Sequence, residues 1–245
     1  MNTLLRQFGS HLARFLTRPQ ANYEQFSALT QEQLDQTLEL GDLLLVEGNN
    51  RVSSAIKYLT QSTWSHVCMY TGEDETGIRS LVEADLVEGV IRSPLSKYVG
   101  YNVRICRAAN LSEQDKIATV EFVIQRLGYR YDTRNIVDLV RYLFPTPPVP
   151  AKFRRHLIAL GSGDPTRAIC STLIAQAFQS IRYPILPQRR QVNEGETPAL
   201  YDTDVLESKH FSHFTPRDFD LSPYFEIIKP TIRGHFDYKK IRWFN

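Results

Sequence analysis

Apolar positions recur along the chain in two rhythms. Leu4, Leu5, Phe8, Leu12, Phe15 and Leu16 fall at helical spacing, and Pro19 closes that pattern. Thr30 followed by Gln33 makes a capping box and predicts a short helix from that point. The rhythm then changes. Asp42 to Val46 reads as a buried strand containing the longest purely aliphatic run, Leu43-Leu44-Leu45-Val46, and Asn50 to Leu59 as a helix with Val52, Ile56 and Leu59 on one face. Ser65 to Thr71 and Arg79 to Asp85 read as the two strands of a hairpin, joined by the polar turn of residues 72–77. Val87 to Ile91 and Asn102 to Arg107 continue the sheet. Ser112 caps a long helix whose first turn carries Glu113 and Asp115, charges suited to the positive end of a helix.

Thr133 caps a further helix, which ends at Phe144 before the breaker run of residues 145–150. Residues 151–168 are loop-like around Gly161-Ser162-Gly163-Asp164-Pro165, and a helix of about a dozen residues starts at Cys170 or just before it. In the tail, mixed in Pro, Asp and aromatics, Tyr224 to Lys229 is the one clear strand. Strands clustered in the middle with helices before and after predict an α+β fold. The expected organisation is a helical extension over 1–39, a core over 40–185 and a C-terminal extension over 186–245 that packs on the core.

With 245 residues, 42% hydrophobic and 23% charged, the composition is that of an ordinary globular protein. A net charge of +2, dispersed along the chain, argues against nucleic acid as a partner. No run approaches the ~18 apolar residues of a membrane span, and the N-terminus lacks the apolar stretch and cleavage site of a secretory signal. Three widely spaced cysteines make no disulfide framework, so a reducing, cytoplasmic setting is expected.

The chemistry is expected around one of those cysteines. Cys170 opens a helix whose buried stripe is Leu173, Ile174, Ala177 and Phe178. The positive end of a helix and its unpaired N–H groups favour thiolate over thiol, and the same N–H groups can hold an oxyanion. The alternative is a cysteine that merely packs, since free Cys is among the most buried residue types. A thiolate nucleophile needs a base and an orienting group for that base. His66 lies in Ser65-His66-Val67-Cys68-Met69-Tyr70-Thr71, and Glu83 lies between Val82 and Ala84 on the next strand. A carboxylate in a half-buried strand needs a partner. Antiparallel pairing across the 72–77 loop can set Glu83 beside His66, where it would fix the imidazole's tautomer and stabilise its charged form. Taken singly, His66 could be a core histidine on a backbone carbonyl and Glu83 an exposed edge residue.

The order of these segments is familiar. Gly41-Asp42-Leu43-Leu44-Leu45-Val46, Trp64-Ser65-His66-Val67, Val82-Glu83-Ala84, Tyr129-Arg130-Tyr131-Asp132 and Ile169-Cys170-Ser171-Thr172-Leu173-Ile174 resemble the YiiX/YaeF-like permuted papain-like cysteine amidases, relatives of the NlpC peptidases and of lecithin retinol acyltransferase-like enzymes. The resemblance covers about residues 40–180 and extends to the tail from Phe214 to Pro230. It implies a circularly permuted papain-like (NlpC-type) core, a small antiparallel sheet or partial barrel with packed helices. By motif it makes Cys170 the nucleophile, His66 the base and Glu83 the orienter. The activity implied is cleavage of an amide through a thioester. A lipid acyltransferase or deacylase using the same Cys/His pair is the alternative enzyme, and a non-catalytic binding module the alternative class.

Other residues add less. Tyr131 is a candidate contact to substrate or oxyanion, against the alternative of a hydroxyl that caps backbone at a helix–loop junction. Cys68 shares a strand face with His66 but lacks a helix start, and Cys106 is a second strand cysteine; both are expected to be inert. His66, Cys68, Glu83 and Cys170 show little zinc-like spacing, so no metal and no organic cofactor is expected. Gly161-Ser162-Gly163 lacks the Lys of a phosphate loop. The basic, aromatic segment from Tyr238 to Phe244 reads as an ordinary strand. Residues 1–18 combine their apolar stripe with Arg6, Arg14 and Arg18, which suits either a peripheral membrane contact or a helix docked on the protein itself. The expected partner is a small amide- or acyl-containing substrate, lipid or peptide included.

Overall fold

The computed structural model describes residues 29–130, 169–189 and 209–233, together with Arg18, Leu206, Glu207 and Lys239. Five expectations lie outside these residues: the helix of residues 4–16, the helix from Thr133 to Phe144, the Gly161 loop, Tyr131 and, apart from Lys239, the strand from Tyr238 to Phe244.

The frame is a six-stranded antiparallel sheet. Its strands are β1 (Leu43–Val46), β2 (His66–Glu73), β3 (Arg79–Asp85), β4 (Gly89–Pro94), β5 (Val103–Ala108) and β8 (Phe225–Ile228), in the spatial order β4-β3-β2-β1-β5-β8. A two-stranded ribbon pairs β6 (Gln188–Arg189) with β7 (Leu206–Glu207). The helices are α1 (Gln31–Thr37), α2 (Arg51–Thr60), α3 (Glu113–Ile124), α4 (Ile169–Ser180), α5 (Pro216–Asp220) and α6 (Pro230–Arg233). Among the described residues no helix is long and apolar enough to cross a membrane.

The aliphatic run of β1 is continuous because both sides of the sheet are covered. Leu43 and Leu45 join one buried cluster with Val67, Met69, Val82, Val120, Leu173, Ile174 and Phe178. Leu44 and Val46 join a second, with Leu34, Cys68, Tyr70, Leu81, Leu95, Tyr98 and Ile105. Alternate residues of a strand point to opposite faces, so β1 reads as unbroken hydrophobe only when helices or turns cover both. Helices α3 and α4 supply the first cover, and α1 with the 3-10 turn Leu95–Tyr98 the second. The stripe predicted for α4 is all buried, with Phe178 fully so and its ring edge-on to Phe225 at 5.0 Å.

Caps start the helices where the sequence places them. Thr30 and Gln33 exchange side-chain bonds in a capping box, Asn50 accepts from the Ser53 N–H at 2.8 Å, and Ser112 accepts from the Asp115 N–H at 3.1 Å. One strand shifts. β4 begins at Gly89 rather than at Val87, because the Asp85 carboxylate accepts from the Val87 and Glu88 N–H groups and holds that stretch as a turn. Gly89 itself has φ +87, and a Cβ there would stand 2.2 Å from the Tyr129 carbonyl oxygen. The neighbouring Val90 N–H donates to that oxygen at 2.9 Å, so the backbone after α3 is laid directly against the strand.

The tail beyond α4 contributes more structure than its composition suggests. β8 pairs with β5, and α5 starts at Pro216 behind a Thr215/Asp218 capping box. The Ser171 hydroxyl on α4 donates to the Phe214 carbonyl at 2.7 Å, which ties the start of α4 to this segment.

Candidate active site

Three elements converge at the first residue of β2. His66 starts that strand, where it pairs with Val46 at the end of β1. Continuing the β2–β3 register past Met69 and Val82 sets Cys68 opposite Glu83 and leaves His66 diagonal to it. Cys170, the second residue of α4, arrives from the helical layer.

Glu83 is 2% exposed and every partner it has is a donor. His66 Nε2 lies 2.7 Å from Oε2, and the Tyr98 hydroxyl donates to the same oxygen at 2.6 Å. Lys97 Nζ meets the other oxygen, Oε1, at 2.6 Å and reaches Ser93 Oγ at 3.3 Å. Burial alone would raise the Glu83 pKa, but bonds and charges from His66 and Lys97 outweigh it and hold the carboxyl well below the usual glutamate range. An ionised carboxylate only accepts, so His66 Nε2 carries a proton and Nδ1 is the ring nitrogen left for the thiol.

Burial works against a charged imidazole at His66, and the neighbouring Cys170 and then Glu83 work for it. The acidic partners win, and the His66 pKa is pushed up to about 10. The side chain is 22% exposed, so the ring stands between a buried carboxylate and a thiol while one side stays open to solvent. The first N–H groups of a helix have no partner within it, and Cys170 is the second residue of α4. The three groups therefore form a line of carboxylate, imidazole and thiol, next to backbone donors that suit a developing oxyanion.

The other two cysteines are placed differently. Cys68 is fully buried, its thiol donates to the Leu44 carbonyl at 3.5 Å, and burial together with the Glu83 charge raises its pKa well above the ordinary thiol value. Cys106 is also fully buried, and burial pushes its thiol up to about 12. Among the described residues no group of three or more His, Cys, Asp or Glu side chains could hold a metal ion.

Residues beside the pair fix its surroundings. The Gly48 N–H donates to Ser65 Oγ at 2.9 Å, joining the chain after β1 to the residue before His66. Trp64, 5% exposed, lies under the Arg104 guanidinium at 5.0 Å from its ring centroid, and Arg104 also pairs with Asp220.

Residues 37–142 match the family model described as permuted papain-like amidase enzyme, YaeF/YiiX, C92 family. The matched segment is less than half of the chain. It contains His66, Glu83, Lys97 and Tyr98, and it ends before Cys170. That family is one of permuted papain-like amidases; the described residues of this chain form an open antiparallel sheet with packed helices, an α+β fold. Among solved structures, the chain is similar to one titled metalloprotein yiiX from Escherichia coli O157:H7, at 14% identity and a TM-score of 0.47, over 79% of this chain and 97% of that one. No curated protein matches the sequence.

Sequence reasoning missed Lys97 and Tyr98. Both lie on a one-turn 3-10 segment with no periodicity, and nothing in Ser96-Lys97-Tyr98 marks a functional pair. The available signal was Glu83 itself: a buried carboxylate with one histidine still has lone pairs to satisfy, which calls for further donors.

Proposed function

We propose that the protein is a cysteine-dependent hydrolase that cleaves an amide through a thioester on Cys170. The observation that supports this most is His66 standing between the buried Glu83 carboxylate and the Cys170 thiol. The proton passes from Sγ to Nδ1, which leaves a thiolate beside the imidazolium. The thiolate attacks the amide carbonyl carbon, and N–H groups at the start of α4 receive the oxyanion. Imidazolium returns its proton to the leaving nitrogen as the C–N bond breaks, which leaves an acyl thioester and a free amine. Water then attacks the thioester with His66 as base; the products are a carboxylic acid and the restored thiol. Glu83 holds the ring's orientation and balances its charge throughout.

The test is intact mass after incubation with a panel of small amides, esters and phospholipids, for wild type and Cys170→Ala. A transient acyl adduct from an amide, absent in Cys170→Ala, is the expected result. An adduct formed only from lipid esters replaces amidase by lipid deacylase. Binding without any adduct or turnover makes the site a non-catalytic module.

A further inference from the structure

The Glu83 carboxylate serves two masters. His66 and Tyr98 share Oε2, while Oε1 belongs to Lys97. Lys97 comes from the turn after β4, is held by Ser93 Oγ as well, and lies over the Tyr98 ring at 5.3 Å from its centroid. Its side chain is 39% exposed, whereas Glu83 is 2% exposed, so the lysine is the route by which the buried carboxylate's charge is drawn toward solvent. The groups that face this carboxylate are His66 and Cys68 from β2, Lys97 and Tyr98 from the turn, and Cys170 from α4; Asp85 on β3 acts on Lys97 from its own strand.

We propose that Lys97 is a positioning residue that tunes the pair, taking half of the Glu83 carboxylate so that His66 holds its proton less firmly. This rests on the reading of Cys170 and His66 as nucleophile and base. The physical reason is that one carboxylate divides its charge among its donors. A lysine on Oε1 weakens the attraction between Oε2 and imidazolium, and its own positive charge opposes the imidazolium directly. The acid step needs that weakening, because an imidazolium that grips its proton too tightly delivers it slowly to a leaving amine. Lys97 also anchors the carboxylate in one rotamer, which a neutral hydroxyl such as Tyr98 does less strongly.

The experiment is the pH profile of Cys170 alkylation by iodoacetate in the full-length protein. This anionic reagent is drawn to the imidazolium, so its rate rises as the thiolate–imidazolium pair forms and falls as His66 loses its proton. Lys97→Met removes a positive charge and should move both limbs upward, by about half a unit to one unit, less than the one to three units of a directly bonded partner. Lys97→Arg should restore the wild-type profile, and Glu83→Gln, which removes a negative charge, should move both limbs downward. A lysine that only stabilises the fold would lower the melting temperature of Lys97→Met and leave both limbs in place. If Glu83→Gln shifts the limbs and Lys97→Met leaves them in place or lowers them, the Lys97 inference is overturned and the Cys170–His66 reading stands. If peptide mapping puts the label on another cysteine, or neither Glu83→Gln nor Lys97→Met moves a limb, the underlying reading falls and the inference with it.

Discussion

Arg107→Met isolates the charged clamp that seats β1. Arg107 donates from Nε to Asp42 Oδ1 at 2.8 Å and from Nη2 to Asp42 Oδ2 at 2.7 Å, and Nη2 also reaches the Thr37 carbonyl at 2.9 Å. Asp42 is 1% exposed, and without Arg107 its remaining donor is the Glu39 N–H, at 2.8 Å from Oδ2. Removing one partner of a buried ion pair typically costs about 3–5 kcal/mol, a large part of the ~5–15 kcal/mol that holds a domain together. Urea denaturation at pH 7 should show that loss. Adding Asp42→Asn, which keeps an acceptor for the Glu39 N–H but removes the charge, should recover most of it.

The loss at Arg107→Met should also depend on pH. Burial already raises the Asp42 pKa above its ordinary 3.8 despite the arginine. A carboxyl with a raised folded pKa favours the fold in its protonated form. Its contribution is therefore present below the unfolded pKa and lost as pH rises through the folded one. Arg107→Met raises the folded value further, so the penalty should shrink as pH falls from 7 toward 4. A penalty under about 1 kcal/mol, of the size expected for a surface pair, or one that stays constant with pH, would refute the reasoning.

Glu83→Gln should cost most stability at neutral pH and little in acid: its depressed folded pKa gives wild type stability that is present above the unfolded value of 4.5 and lost as pH falls below it, visible in acid denaturation curves. His66 has the opposite sign. Its contribution is complete below the unfolded 6.5 and disappears as pH rises through about 10, so His66→Gln should narrow the gap to wild type in alkaline melts. Phe178→Ala, in the stripe of α4, should cost about 3–5 kcal/mol by urea titration with the slope unchanged. Gly48→Ala would put a Cβ 2.1 Å from Ser53 Oγ, so its lowered melting temperature should rise again on adding Ser53→Gly.

The elements that were legible in the sequence are those with a local cause. Alternation and aliphatic runs marked β1, β2, β3 and β5, and Thr30 and Ser112 announced helix starts through side-chain caps that act within three residues. The His66–Glu83 pairing was legible because a hairpin converts sequence separation into register, and a lone glutamate between Val82 and Ala84 demands a partner. What escaped depends on distant chain. The turn carrying Lys97 and Tyr98 is defined by the carboxylate it covers, not by its own pattern. Asp42 reads as the start of a strand, while its part in the fold is set by Arg107, 65 positions away. The β4 boundary moved by two residues because the Asp85 side chain competes with the strand ladder for the backbone N–H groups that follow it.

The most direct measurement of the central claim is the alkylation of native protein by iodoacetamide at pH 6, with each cysteine quantified by peptide mass mapping and the urea-unfolded chain as reference. An ordinary thiol with a pKa of about 8.5 is less than ~1% thiolate at that pH. A thiolate paired with the His66 imidazolium should make Cys170 react at least about tenfold faster in the native protein than in the unfolded chain, and His66→Ala should abolish the excess. Cys68 and Cys106, both fully buried, should react more slowly than in the unfolded chain. Faster labelling of Cys68 than of Cys170, or a Cys170 rate that ignores His66, would contradict the account.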